Sequence, residues 1–538
     1  MVVGGAAVAV GVYELGAAGR DERAIIQAYV TNMRHDNYAE MWEALTPAAR
    51  HRISETEFAA ELSGAAQIAT ATAFEPVQLV AVRPREALYR FVVHTHLFGR
   101  VDRVLLIPLV GSGGGTRIGF NTSLLFPGLG RNQLLSSNTL LGRRGTLLAA
   151  NGQPLARGAT VVTSNTEVAN AIVGSVGPIP ASEAGRYAAA GYPVGAKVGT
   201  DGLQAIFQRR LAGRLGGELL AGTHVIAKAM PDHGATVRTT IDPAMEQAAI
   251  NALGNNYGGI TVMNPHTGAI EAAAGIAFTA VQPPGSTFKI ITATAALSSG
   301  IATPSTQYPY ESSVVLDGFT MQNAGGETCG GSLVNAFATS CDTTFAPLGA
   351  RVGGPRLVST ARRFGFDRPT GIATALESTI PSARTIGGPL AVGASAIGQG
   401  VVQASTLEMA DVGATIADGG RRPLPTMLHG ARPRFTRVTS HKIAGEVQGM
   451  MEAVVSYGTG TTAQIPGVRV AGKTGTAELA NTAGKKNDVK NTDAWFIGYA
   501  PVGDPKVVVA ALFPNQGYGA DTAAPAVRSV LEAALQGA

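Results

Sequence analysis

The chain contains the stretch Pro283-Pro284-Gly285-Ser286-Thr287-Phe288-Lys289, which opens an apolar run from Ile290 to Leu297. The prolines and the glycine predict a helix that begins near Ser286. Residues three apart share one helix face, so the Lys289 amine can reach the Ser286 hydroxyl. This arrangement is typical of an activated nucleophile, because a helix N-terminus favours developing negative charge. A capped helix with an exposed lysine has the same spacing, so the stretch alone leaves both interpretations open.

Two further motifs follow in the same chain. They are Ser340-Cys341-Asp342 and Lys473-Thr474-Gly475-Thr476. With the first stretch, they resemble the Ser-x-x-Lys, Ser-x-Asn and Lys-Thr-Gly elements of the penicillin-recognising serine acyltransferases, which comprise the penicillin-binding proteins and the serine β-lactamases. Each motif alone is weak evidence, whereas their order along one chain is specific.

Three other stretches resemble the class B penicillin-binding proteins within that group. They are Thr239-Thr240-Ile241-Asp242-Pro243, Ala396-Ile397-Gly398-Gln399-Gly400 and Asp493-Ala494-Trp495-Phe496-Ile497-Gly498-Tyr499-Ala500-Pro501. The resemblance is clear from about Arg144 onward and implies a multidomain α+β fold. It places a transpeptidase domain at residues 236–538, with the antiparallel sheet and helical subdomain of the serine β-lactamases.

The composition bounds the remaining possibilities. The chain has 538 residues, too many for one ordinary core, so several domains are expected. The net charge of +5 is spread along the chain without a block of lysine and arginine, which argues against a nucleic-acid partner. Cys329 and Cys341 lack the spacing of a zinc site, and their separation permits a disulfide without requiring one. The sequence therefore indicates neither a metal nor another cofactor.

The first residues suggest where the protein acts. The run from Met1 to Leu15 is apolar but is interrupted by Glu14, and it is too short to span a bilayer. We interpret residues 1–20 as the remnant of a signal or membrane anchor, with a frayed terminus as the alternative. The anchor interpretation predicts an extracytoplasmic protein, and the family resemblance implies the bacterial cell envelope, with the N-terminus anchored in the cytoplasmic membrane.

Residues 21–128 predict a small α+β module. Ile26, Tyr29, Val30 and Met33 recur at helical spacing, and a second short helix is predicted from Tyr38 to Leu45. Helices before an antiparallel meander resemble the cone-shaped, nuclear-transport-factor-like module of one subset of class B penicillin-binding proteins. The predicted strands are Phe74 to Val82, Ala87 to Phe98, Val101 to Val110 and Thr116 to Phe120.

Two features of this module could be mistaken for binding sites. His94 and His96 are predicted on one face of a strand, but two histidines without a third ligand make a poor metal site. The run from Gly111 to Gly115 lacks the Gly-Lys-Ser/Thr ending of a phosphate-binding loop, so it predicts a hairpin turn.

The segment 129–235 resembles the pedestal, or dimerisation domain, of the family. The similarity lies in Arg144-Gly145-Thr146-Leu147, in residues 151–156 and in Gly202-Leu203-Gln204. It implies a structural element that binds partner proteins of cell-wall synthesis. Ala149-Ala150 stand where the family commonly carries an acidic-basic pair, which puts the contact of that pair in question.

Within residues 236–538, two segments are predicted as neighbouring strands. Val470 to Ala477 predict an inner strand that carries the Lys-Thr-Gly motif, and Asp493 to Ala500 predict the strand beside it. The polar segment from Asn481 to Thr492 predicts a solvated loop over the cleft.

The resemblance implies a catalytic role for the first motif residues. Ser286 attacks the penultimate D-alanine carbonyl of a peptidoglycan stem peptide, or the lactam carbonyl of a penicillin. Lys289 is the base, and Ser340 relays the proton toward the leaving group.

The resemblance likewise implies how the substrate is held. The charge of Lys473 and the hydroxyl groups of Thr474 and Thr476 bind the terminal carboxylate. The oxyanion rests on the backbone N–H groups of Ser286 and Thr476. Gly475 leaves room for the substrate along the strand edge.

Lys289 can act as a base only when neutral, so the site must lower its pKa. We expect burial and the like charge of Lys473 to do so. Asp342 stands where the family usually has asparagine, and an ionised carboxylate would stabilise the charged form of Lys289. A neutral Asp342 or slow acylation is therefore expected. The alternative is a tolerated variant that contacts Lys473 or a hydroxyl.

The leading hypothesis is a serine D,D-transpeptidase that cross-links peptidoglycan stem peptides and is inhibited by covalent β-lactam binding. A β-lactamase or β-lactam sensor is the first alternative, because the Ser-Thr-Phe-Lys quartet also resembles class D enzymes. A catalytically impaired envelope scaffold is the second alternative, suggested by Asp342 and Ala149-Ala150.

Overall fold

The computed structural model describes residues 20–111, 115–163, 166–478 and 492–536. The predicted anchor remnant lies outside these ranges apart from Arg20, and the predicted polar loop lies outside them apart from Thr492. The tip of the predicted hairpin turn, at 112–114, also lies outside them. Across the described ranges, no helix has the length and apolar character needed to cross a membrane.

The chain divides into two compact units. The first contains residues 1–145, 177–200 and 209–235, and the second contains residues 146–176, 201–208 and 236–538. The segment 129–235 therefore contributes to both units.

The first unit begins with helices and continues as an antiparallel sheet, as the sequence predicts. The helices are α1 (Arg20–Arg34), α2 (Tyr38–Glu43), α3 (Pro47–Arg50) and α4 (Glu55–Ile68). The strands are β1 (Ala71–Arg83), β2 (Glu86–Thr95), β3 (Gly99–Val110) and β4 (Arg117–Ile118), which pair in chain order. Helix α1 buries Ile26, Tyr29, Val30 and Met33, which confirms the helical spacing seen in the sequence.

Helix α4 is missing from the prediction, although its start carries a recognisable signal. Ser54 and Glu57 form a capping box, in which each side chain accepts a hydrogen bond from the other residue's backbone N–H. The helix buries Phe58, Leu62 and Ala65 in the core of the first unit. Burial of this face, added to the cap, explains why the segment is helical.

The prediction that His94 and His96 lie on one strand is wrong. Strand β2 ends at Thr95, and His96 lies in the following turn, where its N–H donates to Thr70 O. The His94 ring lies 3.1 Å from a Glu75 carboxylate oxygen on the paired strand β1.

The middle of the chain is built from short elements. They are β5 (Leu135–Leu140), β6 (Thr146–Leu148), β7 (Pro154–Arg157), β8 (Thr160–Val161), α5 (Thr166–Ile172), β9 (Val176–Pro178), α6 (Ala184–Ala189), β10 (Lys197–Gly199), α7 (Gly202–Ile206), α8 (Gln208–Ala212), β11 (Gly216–Ala221), β12 (His224–Ala229) and β13 (Val237–Arg238). In the first unit, strands pair in the order β12-β11-β5. In the second unit, the order β13-β6-β7-β8 forms a separate small sheet.

The rest of the second unit holds the largest sheet and most of the helices. Its elements are α9 (Pro243–Leu253), β14 (Gly259–Met263), β15 (Ile270–Gly275), α10 (Lys289–Ser298), β16 (Gln307–Glu311), β17 (Ser313–Leu316), β18 (Phe319–Gln322), β19 (Cys329–Ser332), α11 (Leu333–Ala338), α12 (Asp342–Val352), α13 (Gly354–Phe364), α14 (Pro389–Ala396), α15 (Thr406–Ala417), β20 (Arg421–Pro423), β21 (Phe435–Arg437), α16 (His441–Ser456), β22 (Ala471–Glu478), β23 (Thr492–Ala500), β24 (Val507–Phe513) and α17 (Ala523–Gln536).

The large sheet is antiparallel, with the strand order β15-β14-β24-β23-β22. Strand β24 is buried along its whole length, as expected for a central strand covered on both faces. Apolar residues of α9 and α17 pack on one face of the sheet. On the other face, Gly413 of α15 lies against Ile497 and Val508. The expected antiparallel sheet with a helical subdomain is therefore present.

The strand that carries the Lys-Thr-Gly motif is not an inner strand. β22 pairs with β23, as predicted, but lies at the edge of the sheet. The apolar run around the motif indicates burial, and β22 is buried because α16 and the turn at 285–288 pack against it. An edge strand leaves one side available for an extended ligand.

Candidate active site

Ser286 lies in a short turn at the start of a buried helix. The 3-10 turn Gly285–Phe288 leads directly into α10, as the apolar run predicts. Helix α10 is buried from Lys289 to Leu297, so it belongs to the core of the unit. Ser286 itself is half-buried. Within the described ranges, its hydroxyl oxygen has no hydrogen-bond partner, so it is free to meet a ligand.

Two glycines allow close packing around this turn. Gly285 has φ +53°, and a Cβ there would lie 2.7 Å from Thr476 O on β22. Gly398 has φ +73°, and a Cβ there would lie 2.1 Å from Gly285 O. The Gly285 N–H also donates to Gly398 O at 3.0 Å. These contacts hold the Ser286 turn between β22 and the segment after α14.

The Lys289 amine is fully buried and hydrogen-bonded to the second motif. Its Nζ donates to Ser340 O at 2.7 Å and lies 3.3 Å from Ser340 Oγ. It also lies 2.7 Å from Asp342 Oδ1. An ammonium group has three N–H donors, and these three acceptors match them. A charged Lys289 is thus directed toward Ser340 and Asp342.

The Lys473 amine approaches the same serine from β22. Lys473 is also fully buried, and its Nζ lies 2.9 Å from Ser340 Oγ and 3.0 Å from Thr474 O. Ser340 Oγ therefore lies between the two amines. This contact can carry a proton from one lysine to the other.

Burial dominates the protonation of both lysines. Burial lowers the pKa of Lys289, and the Asp342 carboxylate opposes that shift. Burial, together with the positive charge of Lys289, lowers the pKa of Lys473 well below its usual range, and Asp342 opposes it. Both amines lie close to Ser340 Oγ, so the repulsion between their like charges disfavours charging both. One carboxylate faces two buried amines, so one neutral amine is favoured.

Two aromatic rings line the lysine pair. Lys289 Nζ lies 5.5 Å from the centre of the Phe345 ring, and Lys473 Nζ lies 5.6 Å from the centre of the Phe337 ring. The two rings pack edge to face, with centres 5.8 Å apart. They exclude water from this side of the cluster, which is the physical cause of the lowered pKa values.

Ser340 is held in an uncommon backbone conformation. Its φ is +61°, a region that non-glycine residues rarely occupy. Cys341 follows it and forms a disulfide with Cys329 of β19, with 5.8 Å between the Cα atoms. Asp342 then opens α12, where the helix N-terminus favours its negative charge. The disulfide that the sequence permits without requiring is therefore present, and it links this motif to β19.

The threonines of β22 contact residues that the sequence analysis did not identify. Thr474 Oγ1 lies 2.5 Å from Thr459 Oγ1, and the Thr459 N–H donates to Ala338 O. The Gly519 N–H donates to Thr476 Oγ1 at 3.4 Å. Thr459 lies within a glycine-threonine run at 458–461, and this run could have indicated a residue of the site. The sequence around Gly519 contains no comparable indication.

The structure gives Gly475 a further role, besides the predicted room for substrate. A Cβ at this position would lie 2.8 Å from Pro284 O, 2.9 Å from Thr287 Cγ2 and 2.9 Å from Trp495 Cβ. The glycine therefore lets the Ser286 turn pack directly against β22.

A Gly475→Ala variant is expected to lose about 1–3 kcal/mol of folding stability, because the added methyl group overpacks this contact. Thermal or denaturant unfolding measures the loss. Gly445→Ala is the matched control, since a Cβ at Gly445 in α16 has open space around it. Equal stability of both variants would contradict the packing account.

The described residues place most of the predicted site in one cluster. Lys289, Ser340, Asp342, Lys473 and Thr474 are joined by direct contacts. The Ser286 turn and Thr476 meet through Gly285, which packs against the Thr476 carbonyl. The eight predicted site residues thus come together where β22, the start of α10 and the start of α12 meet.

Comparison with protein families agrees with this arrangement. Residues 258–532 match the penicillin binding protein transpeptidase domain. Residues 162–221 match the penicillin-binding protein dimerisation domain. The chain belongs to the class B penicillin-binding proteins. The matched ranges lie inside the predicted transpeptidase domain and the predicted pedestal, respectively.

Several penicillin-binding proteins are similar over most of their length. Peptidoglycan D,D-transpeptidase PbpA of Mycobacterium tuberculosis is 33% identical over 400 residues, covering 61% of this chain and 77% of the relative. PbpA of Mycolicibacterium smegmatis is 32% identical over 367 residues, covering 56% and 73%. A solved penicillin G acyl-enzyme complex of penicillin-binding protein A from M. tuberculosis is 29% identical, with a TM-score of 0.57, and covers 73% of this chain and 100% of that one.

Proposed function

We propose that this penicillin-binding protein is a serine D,D-transpeptidase, which cross-links peptidoglycan stem peptides and is inhibited by covalent β-lactam binding. The observation that carries the proposal is the position of Ser340 Oγ between the buried amines of Lys289 and Lys473. The names of the relatives and the acyl-enzyme complexes of penicillin-binding protein A support it.

The first step frees a base. We infer that, in the absence of ligand, the proton of the pair lies on Lys289 beside Asp342, because burial and the charge of Lys289 lower the pKa of Lys473 well below its usual range. The terminal carboxylate of the stem peptide binds the Thr474 and Thr476 hydroxyl groups and raises the proton affinity of Lys473. A proton then moves from Lys289 through Ser340 Oγ to Lys473. Binding of the carboxylate thereby leaves Lys473 charged, so that it holds the carboxylate, and leaves Lys289 neutral, so that it can act as the base.

The second step forms the acyl-enzyme. Ser286 Oγ attacks the penultimate D-alanine carbonyl carbon, and Lys289 accepts the hydroxyl proton. Backbone N–H groups of Ser286 and Thr476 stabilise the oxyanion. The C–N bond to the terminal D-alanine breaks, and its nitrogen takes a proton delivered through Ser340. An amine of a neighbouring stem peptide then attacks the ester and releases Ser286.

Release of D-alanine from a stem pentapeptide, with and without an acceptor amine, tests the proposal. A transpeptidase is expected to release D-alanine and form the cross-linked amide, and a penicillin is expected to block both. Turnover of many penicillin equivalents without D-alanine release would instead indicate a β-lactamase. Folded protein that does neither would indicate a scaffold.

An Asp342→Asn variant is expected to acylate with a pH profile moved to lower pH. The Asp342 carboxylate favours charged Lys289, so its removal lowers the Lys289 pKa and leaves the amine neutral at lower pH. The expected shift is about 1–3 pH units, the usual effect of one close opposite charge. Acylation by a fluorescent penicillin, followed from acid to alkaline pH, measures it.

Asp504→Asn is the control for charge alone, because Asp504 pairs with Lys506 on the surface. Asp504→Asn is expected to leave the pH profile of acylation unchanged. A profile that stays fixed, or moves to higher pH, in Asp342→Asn would show that Asp342 does not act through Lys289.

We also propose the wider setting of the protein. It acts on the outer side of the bacterial cytoplasmic membrane, where an N-terminal segment anchors it. The helices α1–α4 and the sheet β1–β4 support a nuclear-transport-factor-like module at 21–128. The pedestal at 129–235 binds partner proteins of cell-wall synthesis, and the transpeptidase domain occupies 236–538. Envelope fractionation of the full chain tests the location.

A further inference from the structure

One side chain outside the three motifs contacts the segment that carries the nucleophile. Trp495 of β23 is fully buried, and its indole Nε1–H donates to Pro283 O at 2.9 Å. Pro283 lies three residues before Ser286. The contact joins positions 212 residues apart in the chain, so it exists only in the folded protein.

Gln282 and Gly285 are held by backbone hydrogen bonds to Ala404 and Gly398, whereas the two prolines between them depend on their carbonyl groups. Pro283 and Pro284 have no backbone N–H and cannot donate hydrogen bonds. Their carbonyl groups remain available. The Thr287 hydroxyl donates a hydrogen bond to the Pro284 carbonyl at 2.6 Å, and the Trp495 indole N–H donates one to the Pro283 carbonyl. Trp495 is therefore the contact between this carbonyl and the large sheet.

Trp495 is itself rigidly placed. It lies opposite Gly475 in the pairing of β22 and β23, and Gly475 leaves the space in which the Pro284 carbonyl and Trp495 approach each other. On the backbone side, a Cβ at Gly519 would lie 2.2 Å from Trp495 O. The Trp495 side chain is fully buried, and a closely packed ring can fix the carbonyl that it binds.

We infer that Trp495 is a positioning residue for Ser286: its indole N–H holds the Pro283 carbonyl and so sets the attack position of the Ser286 hydroxyl. The inference rests on the proposed acyl transfer. Misplacement of a reacting group by about 1 Å can cost ~10²-fold in rate, so loss of this single contact acts on the chemical step. Within the described residues, no hydrogen bond joins Trp495 to Lys289 or Lys473, so its proposed effect on the reaction is indirect.

The test compares Trp495→Phe with the wild-type protein in acylation by a penicillin, over a range of drug concentrations that separates the dissociation constant from the acylation rate constant. Trp495→Phe is expected to lower the rate constant about 10- to 100-fold and to leave the dissociation constant unchanged. Trp42→Phe is the matched control, because Trp42 Nε1 donates to Ile53 O at the same distance of 2.9 Å in the first unit. It is expected to change neither constant.

A second measurement keeps the inference testable if Trp495→Phe does not fold. In the Trp42→Phe protein, Trp495 is the only tryptophan, since the chain has two. The fluorescence emission of Trp495 is expected to change on acylation, and the rate constant of this change is expected to equal that of adduct formation. An unchanged acylation rate constant in folded Trp495→Phe would overturn the inference while leaving the proposed function intact. Trp495 fluorescence that does not change on acylation would do the same. Absence of acylation in the wild-type protein would defeat the proposed function and this inference with it.

Discussion

A Ser286→Ala variant is expected to form no covalent penicillin adduct and to release no D-alanine from a stem pentapeptide. The change removes the attacking oxygen from the half-buried turn at the start of α10. Loss of a nucleophile costs on the order of 10⁶-fold in rate in well-studied serine hydrolases, so activity falls to the detection limit. Fluorescent-penicillin labelling and D-alanine release measure the loss.

Ser299→Ala is the control for the loss of a hydroxyl group from the same helix. Ser299 lies at the other end of α10, where its hydroxyl donates to Ala295 O. It is expected to label at the wild-type rate. Adduct formation by folded Ser286→Ala would assign the nucleophile to another residue.

A Lys289→Met variant is expected to lose about 10²- to 10⁴-fold in acylation rate, the usual contribution of a general base. Methionine keeps most of the buried volume and removes the amine that accepts the Ser286 proton. Lys289→Arg separates base from charge, because arginine stays charged and cannot accept a proton. It is expected to be as slow as Lys289→Met, whereas near-normal acylation by Lys289→Arg would contradict the role as base.

Removal of Lys289 alone leaves Asp342 without its cation, which complicates the comparison. The double variant Lys289→Met/Asp342→Asn removes both charges of the pair. Breaking a buried pair by removing one partner costs about 3–5 kcal/mol of folding stability. The double variant is therefore expected to be more stable than Lys289→Met alone. It is also expected to remain slow. Recovery of fast acylation in the double variant would show that the unpaired carboxylate, and not the missing base, caused the loss.

The local chemistry of the site could be predicted from the sequence. Pro283, Pro284 and Gly285 before an apolar run predict a helix start, and the structure has one there. The spacing of Ser286 and Lys289 follows from that helix. The helix start and this spacing depend on residues within one element, which local sequence determines. The pairing of β22 with β23 is an expectation from the family resemblance, and the structure confirms it.

The relations between elements could not be predicted in this way. The sequence placed β22 inside the sheet, because burial on the edge of a sheet looks the same as burial in its centre. Local spacing does not bring the Lys289 amine to Ser340 and Asp342, which lie more than fifty residues later. Thr459 was missed because its contact with Thr474 arises only when α16 packs beside β22. The disulfide was left open because spacing alone does not bring two cysteines together.

Mass mapping of the wild-type protein after incubation with a penicillin tests most directly whether Ser286 is the nucleophile. One adduct per chain is expected, located on the peptide that contains Ser286 and stable for hours. An adduct on a different peptide, continuous turnover of the drug, or no adduct on folded protein would contradict this expectation.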